Sequence, residues 1–172
     1  ESYSSLEEKR KKFPNHKTIT SAEEFSKWYE KEINMGSKYL YRGVHDAQYK
    51  NYTSAQRLYI THDLCAASIS LKDLIQCEIE ALRREKGYIF SNYYKSMGIA
   101  PNDLLYLSLA QHYGGISPLL DFTIDLKTAL YFMTSNVEFP SGGGTDIQNF
   151  VSIYRFNVED SKDFSQLLKE SR

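Results

Sequence analysis

LLYLSLAQHYGGISPLLDFTIDLKTALYF, residues 104–132, is the stretch from which the fold can be read. It is the longest nearly uninterrupted apolar segment of the chain, yet it carries Gln111, His112, Asp121 and Thr123. Gly114 and Gly115 break it in the middle, and Pro118 stiffens the exit. The pattern predicts a buried helix, a tight turn and a second buried helix, with the polar groups gathered at the joint. An unpaired polar group inside an apolar wall costs roughly 1–3 kcal/mol. Such a joint therefore holds either a structural hydrogen-bond network or a binding site, and these residues leave both open.

Working outward, Asn102 or Asp103 is placed to cap the first helix, which ends at Tyr113-Gly114, and Thr123 to cap the second, over 124–135. Upstream, Ser70 precedes a stripe of Leu71, Leu74, Ile75, Ile79 and Leu82. That helix is expected to run to Lys86 and to resume over Tyr88–Lys95, because Gly87 weakens a helix without always stopping it. Residues 45–61 read as irregular, with one helical turn at Ser54–Leu58 that includes Arg57. Ser21 and Glu24 have capping-box spacing ahead of Phe25, Trp28, Tyr29 and Ile33, which predicts a helix over 22–33.

Two segments read as strands. In Tyr39–Val44 alternation sets Leu40, Arg42 and Val44 on one face and Tyr39 and Tyr41 on the other. If the Arg42 face is inward, the guanidinium needs a carboxylate or an anionic ligand. Gly43 lets another backbone or a ligand come close. The second strand, Phe150–Val158, follows a flexible Ser141–Thr145 loop. Two or three weaker strands are expected from the irregular regions. The class expected is α+β, a small, mostly antiparallel sheet packed against a layer of four or five helices in a single domain. A polar arm, 1–20, precedes the domain at 21–158, and a tail with at most a short amphipathic helix occupies 159–172.

Composition narrows the function classes. With 41% apolar and 25% charged side chains over 172 residues, the chain has enough apolar material for one core. Lys plus Arg is 21 and Asp plus Glu is 22, a balance that gives no electrostatic reason to expect nucleic-acid binding. No apolar run reaches the ~20 residues that span a bilayer, and two cysteines make no disulfide scaffold. The expectation is a soluble, cytoplasmic protein. Fourteen tyrosines suit half-buried positions, pocket walls or a surface that meets a partner protein.

Several motifs fail on context. Gly142-Gly143-Gly144 lacks the Gly-Lys-Ser/Thr ending of a phosphate loop, and Ser117 is not in a Gly-x-Ser-x-Gly elbow. His62, Cys65 and Cys77 lack the spacing of a zinc knuckle, so no metal is expected and no cofactor can be named. The constellation with more substance is Arg42, Gln111, His112 and Asp121. His112 falls in the last turn of its helix, where the carbonyl ends favour an imidazolium. Asp121 is expected to pair with Arg42 or His112 in the interior. The structural alternative is a buried network that pins two helices to a sheet.

These residues are also where the chain resembles a known family, the FRG domain, named for its Phe-Arg-Gly signature. Tyr41-Arg42-Gly43 resembles that signature, and Ser54-Ala55-Gln56-Arg57 is similar to the Ser-x-x-Arg that follows it. Ala110-Gln111-His112-Tyr113-Gly114 matches the most specific motif, and Leu119-Leu120-Asp121-Phe122-Thr123 resembles Leu-Leu-Asp-Trp-Thr. Leu126 and Ala129–Phe132 fit the helix that follows, so the resemblance covers 37–157. One departure stands out: Gly115-Ile116-Ser117-Pro118 replaces Leu-Pro-Thr-Arg, so Pro118 stands where relatives carry an arginine.

The family name brings no reaction with it. The expected site is one for a small molecule or a nucleotide-like anion, with Arg42, Arg57, Gln111, His112, Asp121 and Thr123 as ligand-binding residues. Arg42, His112 and Asp121 are the candidate catalytic groups. The alternative is a non-catalytic interaction module. A third reading follows from the likeness of Tyr-Arg-Gly on a strand to the opening motif of ADP-ribosyltransferases. The rest of that pattern is missing, since Glu78-Ile79-Glu80 falls in a helix.

Overall fold

The computed structural model describes residues 2–35, 38–138 and 145–158. The fold is α+β, and the described chain contains six α-helices and a two-stranded sheet. In order these are α1 (Leu6–Lys12), α2 (Ala22–Ile33), β1 (Tyr39–Val44), α3 (Ser54–Thr61), α4 (Leu71–Ser96), α5 (Asp103–His112), α6 (Leu126–Thr134) and β2 (Ser152–Asn157). A short 3-10 turn, Asp146–Asn149, precedes β2. Residues 51–120 form one compact unit, and 2–50 with the described part of 121–172 form the other. The Ser141–Gly144 part of the predicted loop and the tail from 159 lie outside the described residues.

The two-part unit is built around the sheet. β1 and β2 pair antiparallel, with Tyr41 opposite Arg155 and Arg42 opposite Tyr154. Helix α6 lies on β1, and Tyr41, Leu126 and Ala129 form a buried cluster extended by Trp28 and Tyr29 of α2. The face carrying Tyr39 and Tyr41 is therefore the one the helix covers. The charge run at 6–12 suggested a solvated arm, but its residues form α1, capped by Ser5. Tyr3, Leu6 and Phe13 pack with Ala47, Ile147 and Phe150 as a second apolar cluster. Charge along a short helix had masked the apolar residues that flank and enter it.

The helical unit follows the sequence closely. Ser70 and Asp73 make a reciprocal capping box for α4, which runs unbroken through Gly87. A methyl added at Gly87 would meet the Tyr106 hydroxyl at 3.6 Å, an ordinary contact, so the α5 side does not require a glycine there. Asn102 caps α5, and Gly114 follows it with φ +76°, the left-handed conformation that suits glycine at a helix end. Segment 54–61 forms two full turns rather than one, because Thr53 and Gln56 supply a complete capping box.

Candidate functional site

Strand β1 is held on both edges. Beyond its ladder with β2, the Tyr41 amide donates to the Thr123 carbonyl at 2.7 Å, and the Thr123 amide returns a bond to Tyr41 at 2.9 Å. This exchange brings the Asp121–Thr123 segment alongside the strand. Two motifs far apart in sequence become neighbours through these main-chain bonds. The expectation that Thr123 caps α6 is corrected here. Asp125 is the cap, accepting from the Lys127 and Thr128 amides at 3.1 Å each, and Thr123 Oγ1 accepts from the Asp125 amide. The bond from the Thr128 hydroxyl, then that from the Lys127 amide, holds the Asp125 carboxyl below the usual carboxylate range.

Gly43 explains the third letter of the signature. A methyl at that position would lie 1.9 Å from the Ala129 carbonyl oxygen and 2.7 Å from the Met133 nitrogen. Only a residue without a side chain lets α6 rest directly on β1. Tyr41, in turn, is 2% exposed beneath the same helix. Its hydroxyl donates to the carboxylate of Glu32 at 3.0 Å, and Arg155 on β2 reaches the same carboxylate at 2.5 Å. The Arg155 guanidinium also lies over the Tyr39 ring, 4.5 Å from its centroid. Burial first, and the Glu32 acceptor second, push the Tyr41 hydroxyl up to about 12.

Between β1, the 121–123 segment and α6 lies an open cleft of about 340 Å³. Arg42, Asp121 and Thr123, three of the residues picked from sequence, line it. Arg42 Nη1 donates to the main-chain carbonyl of Asp121 at 3.0 Å. Arg42 is half-buried and Asp121 exposed, so they meet at a solvent-facing cleft and not in a sealed interior. His45, Phe122, Thr128 and Phe132 also border it. His45 is exposed, and its ring packs edge-on against Tyr49 at 5.7 Å. A guanidinium presents five donors in a planar fork suited to phosphate or carboxylate, so the chemistry on offer is anion recognition.

The remaining site residues picked from sequence belong to the helical unit. His112 is the last residue of α5, exposed, its ring edge-on to Tyr113, and Gln111 before it is half-buried. Arg57 Nε donates to the Tyr52 carbonyl at 3.3 Å. The buried polar member of the joint is Ser117, with no exposed surface. Its amide donates to Ser54 Oγ at 2.8 Å, Ser54 Oγ donates back to the Ser117 carbonyl at 3.1 Å, and the Ala55 amide donates there too. The serine of the Ser-x-x-Arg motif thus ties α3 to the turn after α5.

Two features went unread in the sequence. Glu32 falls on the Phe25, Trp28, Tyr29 stripe of α2, a carboxylate on an apolar face, and that position was the available signal. Lys9 gave none. Its ammonium donates to the Ala47 carbonyl and to Ser152 Oγ, each at 2.7 Å, with the Tyr3 and Tyr154 rings beside it. Burial pushes this amine down to about 8, against a smaller opposing pull from Asp46.

An arginine-bearing strand seated under a helix through a glycine, with an aspartate segment stitched to that strand, is where the signature residues meet. The sequence model of the FRG domain matches residues 37–140, and the chain belongs to that family. No curated protein and no solved structure matches the chain.

Proposed function

We propose that this FRG-domain protein binds a small anionic, nucleotide-like ligand in the cleft between β1 and α6, with Arg42 as the anion-holding group. The observation that carries the reading is the place of Arg42 on an open cleft of about 340 Å³, a volume in the usual range for small-molecule sites. Asp121 and Thr123 add an acceptor and a hydroxyl on the same wall. The test is thermal shift and calorimetry with pyrophosphate and ADP. Wild-type protein is expected to show a saturable shift with at least one of them, lost in Arg42→Ala while the circular dichroism spectrum is retained. A folded wild-type protein that responds to neither would end the proposal. Incubation with NAD and detection of released nicotinamide separates catalysis from binding.

The second reading is a protein-interaction module, and a specific observation favours it. On α4, Tyr88 is 82% exposed and Ile89 64%, and Tyr93 is exposed as well. Large apolar side chains grouped on one stretch of surface mark contact sites. This reading predicts that no small molecule raises the melting temperature.

A further inference from the structure

Phe132 is 59% exposed and Phe122 38%, and both border the Arg42 cleft. Phenylalanine is ordinarily buried, and two half-open rings on one small cleft are not explained by the cluster beneath α6. Arg42 and His45 supply groups suited to an anion, and Asp121 adds a carboxylate-bearing residue to the same lining. A carboxylate on the cleft lining repels a bare polyanion but accepts hydrogen bonds from hydroxyls. The cleft therefore has three chemistries side by side: donors for an anion, an acceptor for hydroxyl groups, and flat apolar faces. We infer that the cleft takes a nucleoside phosphate, its phosphate on Arg42 and His45, its sugar hydroxyls at Asp121 and its base against Phe132 and Phe122. The inference rests on the anion-binding reading of the same cleft and adds the aromatic and sugar parts of the ligand.

Calorimetry with ADP, pyrophosphate and adenosine tests it. Base–aromatic stacking predicts that ADP binds about tenfold tighter than pyrophosphate or more. Phe132→Ala, at an exposed position that tolerates truncation, should bring the two affinities together without weakening pyrophosphate. Phe122→Ala serves as a second variant. His45→Ala should weaken both phosphates. ADP and pyrophosphate binding equally to wild type would overturn the inference and leave the anion site standing. Adenosine binding as tightly as ADP would overturn both, as would the absence of any binding.

Discussion

At the scale of single residues, Gly43 is the most exposed to test. Gly43→Ala sets a methyl against the Ala129 carbonyl, which is backbone and cannot swing away. The expected loss is about 3 kcal/mol or more, seen as a fall in melting temperature on the order of 10 °C. Lys9, Tyr41 and Tyr154 make a prediction in pH. Lys9 is held at about 8 against an ordinary 10.5, so the unfolded chain binds the extra proton between those values and stability rises with pH across that window. Tyr41 and Tyr154 are both pushed from 10.0 to about 12, chiefly by burial, so the folded chain keeps their protons longer and stability falls from pH 10 to 12. Melting followed from pH 7 to 12 should climb and then drop. Lys9→Met should remove the climb and keep the drop.

At the scale of elements, the helices were largely legible and the face of the strand was not. Ser21, Ser70 and Asn102 announce helix starts, because a side-chain oxygen satisfying an orphan amide is a local matter that nothing distant overrules. In β1, by contrast, both faces carry large apolar side chains, and alternation alone cannot say which one a helix covers. Ala129, Leu126 and the distant Glu32 settle it in favour of Tyr41. The same limit applied to Thr123, whose main-chain pairing with Tyr41 has no signature in the local sequence. The Glu32 network can be dissected. Tyr41→Phe removes one hydrogen bond, expected to cost about 1 kcal/mol. Glu32→Ala strands Arg155, whose side chain is 43% exposed, so the expected loss is about 2–3 kcal/mol, below that of a fully buried pair. Urea denaturation of both variants checks the order.

At the scale of the whole molecule, the family match and the compact units do not share boundaries. The match, 37–140, contains the helical unit at 51–120 entire. It leaves out β2, with Arg155, and α1 and α2, with Lys9 and Glu32. A chain trimmed to 37–140 is therefore expected to keep helical circular dichroism while the β1 amides that pair with β2 exchange freely with solvent, which hydrogen-exchange mass spectrometry would read. Hydrogen exchange as slow as in the longer chain would show β1 to be stable without β2. The pairing of β1 with β2 also bears on the order of events during translation. The ribosome delivers β1 early and its partner only after the six described helices have emerged. Helices α3 to α5 can settle while Tyr39–Val44 still waits as an open edge, a nascent-chain interval in which a chaperone would find its substrate.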